Sequence, residues 1–105
     1  MEGLPATPAG DRIHTIRNKL CNTYNGICNV PTMYSNIDVL SNISIIVIRE
    51  VNNWASGIGM LQAFSTQFNN KTKHLHLYNT GVNNELLNKI ITLCTQLEIT
   101  LTIEQ

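Results

Sequence analysis

The run Ile43-Ser-Ile-Ile-Val-Ile48 decides the architecture. It is β-branched and apolar on both faces, which predicts a central strand covered on each side. Trp54-Ala-Ser-Gly-Ile-Gly59 follows, and there the pattern changes period. Ile58, Leu61, Phe64 or Ser65, and Phe68 share one helical face, while Gln62, Thr66 and Gln67 point elsewhere. Asn69-Asn-Lys71 ends that helix. His74-Leu-His-Leu-Tyr78 then alternates as a strand, with Leu75 and Leu77 on one face and both histidines on the other. Asn83 or Asn84 caps a further helix carrying Leu86, Ile90, Leu93 or Cys94, and Leu97. Ile99-Thr-Leu-Thr-Ile103 alternates again as the last strand. Strands separated by single helices predict an α/β fold with right-handed crossovers and a largely parallel sheet.

Upstream of the central run the pattern is less regular. Ile13, Ile16 and Leu20 fit helical spacing, but Asn18-Lys19 and Asn22 to Gly26 interrupt it. Arg12 to Arg17 therefore reads as a strand, with Leu20 to Cys28 returning as the second arm of a hairpin. Pro31-Thr32 opens a short helix with Thr32 as N-cap and Met33, Ile37 and Leu40 at helical spacing. The expected order is β-β-α-β-α-β-α-β. Residues 1–10, rich in Pro, Gly and Ala, read as a flexible tail before a single domain at 11–105.

Composition narrows the function. The 105 residues carry no formal net charge, and 13% are charged. Seven scattered Lys and Arg with no interleaved aromatics argue against a nucleic-acid partner. No apolar run is long enough to span a bilayer, and no secretory signal is visible, so a cytoplasmic location without membrane insertion is expected. Cys21, Cys28 and Cys94 form no C-x-x-C pair and read as free, mostly structural thiols. A lightly charged, neutral surface is compatible with self-association.

The stretch Ile45 to Asn79 resembles the STAS domain, the module of anti-sigma factor antagonists and sulfate-transporter tails. The family's D-S-S-G-L-G-like turn between strand and helix has its counterpart in Trp54-Ala55-Ser56-Gly57-Ile58-Gly59, and its following strand in Leu75-His-Leu-Tyr-Asn79. Gly26-Ile-Cys-Asn-Val-Pro-Thr32 is similar to the family's G-E-L-D-x-x-T segment. The resemblance implies a mixed sheet with helices mainly on one face. It also implies a non-enzymatic regulatory module that needs no cofactor. Its partner would be an anti-sigma factor kinase or a transporter subunit. Trp54, Ala55, Ser56, Gly57, Ile58, Gly59 and Asn29 would form the partner-binding surface, with Ser56 as candidate phosphoacceptor. Two acidic positions of the family are occupied by Trp54 and Asn29.

Elementary chemistry gives Ser56 two roles. As helix N-cap it would hold free backbone amides, worth about 1 kcal/mol. As phosphoacceptor it would add about −1.5 to −2 charges at a helix end that tolerates anions. His74 and His76 share a strand face, a spacing suited to a metal, yet no nearby Cys, Asp or Glu completes a set and only His14 could approach. A hydrolase built on Ser56 with Asp38 or Glu50 lacks the G-x-S-x-G elbow. A leucine-rich-repeat-like interaction protein also fits Leu75-x-Leu77 and the helix after it. Ile48, Leu77 and Ile103 are spaced by 29 and 26 residues, although so short a chain holds few repeats.

Overall fold

A computed structural model describes residues 9–81 and 84–104. The chain runs α1 (Ala9–Tyr24), β1 (Ile27–Pro31), β2 (Asn36–Leu40), β3 (Ser44–Glu50), a 3-10 turn at Val51–Asn53, α2 (Trp54–Ser65), β4 (Thr72–Tyr78), α3 (Asn84–Gln96) and β5 (Ile99–Ile103). It is an α/β fold built on one five-stranded mixed sheet in the order β1-β2-β3-β4-β5. β1, β2 and β3 are antiparallel neighbours, and β3, β4 and β5 are parallel. Of the expected flexible tail, residues 1–8 lie outside the described residues, as does the alternative cap Asn83. Residues 9 and 10 open α1.

Two expected elements are corrected. The first hairpin is absent: residues 12–24 belong to α1, and Ile27 and Cys28 open β1. Ile13, Ile16 and Leu20 lie along the buried stripe of that helix, and Asn18 and Lys19 occupy its wet side. The Asn-Gly segment, expected inside the second arm, is instead the stop of a helix. Asn25 adopts φ 53°, and Gly26 N–H donates to Cys21 O at 2.8 Å, which satisfies an orphan carbonyl of the last turn. The expected helix after Pro31 is also absent. Thr32 Oγ1 accepts from the N–H groups of Tyr34 and Ser35 and donates to Ser35 O, closing a β-hairpin turn. A Thr hydroxyl that can cap a helix can equally close a turn, and β-branched Ile37 and Val39 tip the segment to strand. The observed order is therefore α-β-β-β-α-β-α-β.

The helices are not gathered on one face. α2 and α3 cover one side, where Ile45, Val47, Leu61, Phe64, Leu75, Leu77, Ile90 and Cys94 form the larger core cluster. α1 lies across the other side, where Ile16, Leu20 and Cys21 meet Val39, Ile46, Ile48 and Tyr78. Burial of both faces explains why β3 is apolar without a break from Ile45 to Ile48.

The β1–β2 ribbon changes face within its length. Cys28 packs toward α1 and Val30 toward the α2–α3 cluster, although two residues apart they should share a side. Val39 and Ile37 on β2 show the same shift. Between them Asn29, at φ 55°, stands at the rung of Asp38, since Cys28 pairs with Val39 and Val30 with Ile37. The left-handed backbone at Asn29 is the source of the shift. It also frees Asp38 to turn its carboxylate toward α1.

Candidate functional site

The turn singled out by sequence is dispersed by the fold. Asn53, not Ser56, precedes α2, and its side chain makes no capping bond. Ser56 sits in the first turn of the helix, exposed, with its Oγ accepting from Arg49 Nε at 3.3 Å. The expected N-cap role of Ser56 is thus corrected. Gly57 is buried, and a Cβ there would stand 2.6 Å from Leu75 Cδ1 and 3.0 Å from Arg49 Cγ. Its lack of a side chain lets α2 lie close on the sheet and leaves no opening for a partner. Ile58 is buried in the core, and Trp54 packs partly against it. Only Ala55, Ser56 and Gly59 of this segment face solvent. Asn29 is exposed on β1, two strands removed from β3, and its role is the backbone shift described above.

The structure instead assembles polar groups between α1 and the sheet. Asp38 is buried, and Arg17 donates to its Oδ1 from Nε at 3.1 Å and Nη2 at 2.9 Å. Asp38 Oδ2 accepts from Ile48 N–H at 2.9 Å and from Arg49 Nη1 at 3.4 Å. The carboxylate therefore takes a strand amide that a backbone carbonyl would otherwise hold. It ties α1, β2 and β3 together with charge-assisted bonds.

A second group lies under the C-terminal half of α1. Parallel pairing puts Thr102 of β5 opposite His76 of β4. Thr102 Oγ1 lies 2.7 Å from His74 Nε2 and 2.6 Å from His76 Nδ1, while His76 Nε2 reaches Glu104 Oε1 at 2.9 Å. Lys19 of α1 closes the chain by donating to Glu104, and the Tyr24 ring meets His74 edge-on at 5.5 Å. Burial first, and the neighbouring His76 second, lower the His74 pKa from 6.5 to about 4, so its ring is neutral at pH 7. With both rings neutral, one proton order fits all three contacts: His74 Nε2–H donates to Thr102, Thr102 donates to His76 Nδ1, and His76 Nε2–H donates to Glu104. This assignment follows from the network itself. The hydrogen bond from Lys19, followed by that from His76, outweighs burial and holds the Glu104 carboxyl below its usual range.

A hydroxyl, an imidazole and a carboxylate in line are the parts of a nucleophilic triad, but here Thr102 is consumed by two histidines beneath a helix. The group links β4 and β5 to α1 through Glu104 and Lys19. Three of its four histidine ring nitrogens are likewise taken up by Thr102 and Glu104, while His14 bonds to Asn18 along α1. Among the described residues no group of three or more His, Cys, Asp or Glu is placed to hold a metal. An open cleft of about 360 Å³ lies at the far end of α2, lined by Ser65, Asn69, Lys71, Thr72, Lys73 and Glu98. Its cations are engaged: Lys71 Nζ donates to Ser41 O and Asn42 O, and Lys73 Nζ to Gln62 Oε1.

Two of the three cysteines depart from expectation as well. Cys21 on α1 and Cys28 on β1 are joined as a disulfide, with Cα atoms 6.0 Å apart. The seven-residue spacing hides a pair that the turn at Asn25-Gly26 brings together. Cys94 is free and buried in the core, where burial raises its thiol pKa.

Comparison with known proteins settles what the STAS-like turn does not mean. The chain is similar to putative KilA-N domain-containing proteins of Acanthamoeba polyphaga mimivirus. It is 35% identical to L33 over 100 residues, covering 93% of this chain and 40% of L33. Identity to R878 is 32% over 88 residues, covering 84% of this chain and 24% of that protein. Identity to L32 is 30%, over 77% of this chain and 22% of that protein. The chain thus spans less than half the length of the curated relatives it matches. No family model matches it, and no solved structure matches it.

These relatives overturn the STAS resemblance, and with it the anti-sigma factor antagonist and transporter-subunit assignments. They give no support to the repeat-protein alternative either. That alternative also fails on the fold: an antiparallel hairpin extends the sheet past β3, and α1 covers the face opposite α2 and α3. The phosphoacceptor role of Ser56 rests on the STAS resemblance and loses its ground with it.

Proposed function

We propose that this chain is a folded association module of the type of protein that carries a KilA-N domain, and that it performs no catalysis and binds no cofactor. In this reading it joins such proteins to one another or to protein partners. The similarity to L33, R878 and L32 covers most of this chain and a minority of each relative, as a self-contained unit shared within longer proteins would.

The observation that carries the reading is the direction in which the polar chemistry points. Arg17 and Arg49 are held by Asp38, Lys19 by Glu104, Lys71 by two carbonyls and Lys73 by Gln62. Arg12 stands over the Tyr78 ring at 5.5 Å. Cations engaged in this way are poorly disposed to track a phosphate backbone, so direct nucleic-acid contact is not part of the proposal. Exposed apolar groups stand instead at strand ends and turns, with Ile27, Met33 and Ile43 each at least two-thirds exposed.

Titration of the chain with duplex DNA at low salt tests the first half, and no binding is expected. An affinity that rises as salt is lowered sinks the reading. Sedimentation of the chain alone, and mixed with L33 or R878, tests the second half. Association in either sample supports it, and an inert monomer in both refutes it. A cytoplasmic location belongs to the same proposal. Among the described residues no helix is long and apolar enough to cross a membrane, and fractionation of expressing cells checks the location.

A further inference from the structure

The sheet ends in two strands that differ sharply as edges. β1 is blunted: Asn29 leaves the extended conformation, and Pro31 has no N–H to offer. β5 carries none of these devices. Ile99-Thr-Leu-Thr-Ile103 has no charge, no Pro and no Gly, and among the described residues it pairs only with β4. Its sequence also reads the same in both directions.

That palindrome matters because of which groups point outward. Glu104 N–H donates to Leu77 O of β4, so by alternation the N–H and C=O of Ile103, Leu101 and Ile99 point away from the sheet. In an antiparallel pair of β5 strands centred on Leu101, Ile99 faces Ile103 of the second copy and Leu101 faces its own equivalent. Those are the outward-pointing residues, so each facing pair exchanges two backbone bonds and none of these outward groups is left unpaired. Thr100 faces Thr102 in the intervening rungs, where side chains approach most closely. The apolar row falls on the α2–α3 side and the Thr row on the α1 side.

We propose that β5 is the two-fold interface of a homodimer, in which two copies join their sheets through this edge. The proposal rests on the association reading and names its partner as a second copy. Charge favours it: the chain has no formal net charge, and the strand presents none. Glu98 leaves the extended conformation before the strand begins, at φ 58°, and lines the cleft beside Lys71 and Lys73, while Glu104 after it is held by Lys19, so neither carboxylate is left to oppose a second edge. A strand of this length falls short of the ~800 Å² per partner of a standard interface. The flank of α3 beside it makes up area. α3 packs on β5, leaving Ile91 44% exposed and Leu93 and Leu97 only partly buried. Extending the sheet brings two copies of α3 side by side.

Sedimentation equilibrium of the full chain, with hydrogen exchange read at single amides, tests this. The expected result is a species of twice the 11.7 kDa chain mass, with slow exchange at Ile99, Leu101 and Ile103. Thr100 is exposed, and Thr100→Lys would set a lysine against the partner's edge beside its Lys19. That variant should be a cooperatively folded monomer whose melting temperature no longer depends on protein concentration, and the three amides should exchange fast. A parent chain that stays monomeric overturns the β5 proposal yet leaves association with another protein standing. A dimer that survives Thr100→Lys with those amides exchanging freely also overturns it.

Discussion

Acidification from pH 7 to pH 4 should cost the fold about 2 kcal/mol through His74 alone. The ring is 4% exposed, hydrogen-bonded to Thr102 and covered by Tyr24. Burial, then the nearby His76, bring its pKa from 6.5 to about 4, whereas the unfolded chain keeps the ordinary value. Between those two values the unfolded state binds a proton that the folded state refuses. The stability contributed by neutral His74 is therefore complete above about pH 6.5 and is lost as pH falls toward about 4. At about 1.4 kcal/mol per pH unit the whole shift corresponds to roughly 3 kcal/mol, and residual solvent screening trims this to about 2. Glu104 adds a second loss at lower pH. Its carboxyl is held below the usual range by Lys19 and then His76, so its contribution vanishes as pH falls through its folded pKa.

Urea denaturation read by Trp54 fluorescence, at steps from pH 7 down to pH 4.5, measures the effect. His74→Gln keeps an amide donor for Thr102 but has no proton to bind, so its midpoint should be much flatter across this window. A parent midpoint that does not move between pH 7 and pH 5 refutes the reasoning, as does a variant as acid-sensitive as the parent. An imidazole resonance of His74 titrating near its ordinary value would refute the buried neutral ring directly.

The two glycines of α2 should respond in opposite directions. Gly57→Ala drives a methyl into Leu75, which is fully buried, and should cost about 1–3 kcal/mol in thermal or urea melts. A methyl at position 59 would meet nothing within 4 Å, so Gly59→Ala should add roughly 0.5–1 kcal/mol by removing helix-interior glycine. Asp38→Ala leaves Arg17 and Arg49 without their carboxylate and Ile48 N–H without its acceptor, an expected loss of about 3 kcal/mol by chemical denaturation. Cys28→Ser should cost about 2 kcal/mol by opening a short loop. Reductant should reproduce that loss in the parent and leave the variant unchanged.

The later half of the fold was legible because each of its elements carries one unambiguous period. Ile45 to Ile48 cannot be a surface strand, Ile58 to Phe68 cannot be a strand, and Ile99 to Ile103 alternates without interruption. The first forty residues failed for a different reason: their local signals serve two structures. The stretch from Asn22 to Gly26 ends a helix as readily as it argues against one, and the Thr32 hydroxyl closes a turn as readily as it caps a helix. Tertiary contacts decide between them, through Asp38 and Cys28, whose partners lie on α1. The candidate site failed similarly. A small-residue turn between strand and helix suggested a binding loop, but Gly57 is small because Leu75 lies beneath it. Asp38 in Ile-Asp-Val was the signal available and unused, a carboxylate between two β-branched residues that strand alternation alone would not bury alongside both neighbours.

The two faces of the sheet are held by different physics, and this explains where the polar residues went. α2 and α3 are held by apolar packing, with Leu61, Phe64, Ile90 and Cys94 all essentially inaccessible. α1 contributes few apolar side chains, chiefly Ile16 and Leu20, and burial of two such residues is worth only a few kcal/mol. The rest of its attachment is specific: Arg17 to Asp38, Lys19 to Glu104, Tyr24 against His74 and Cys21 bonded to Cys28. The two ion pairs among these fix position more than they add net stability, because desolvating paired charges offsets much of their attraction. His74, His76 and Asp38 are thus on the sheet to position α1. A sheet face made polar for that purpose looks from sequence like a binding surface, although its polar groups are already spoken for by the chain's own helix.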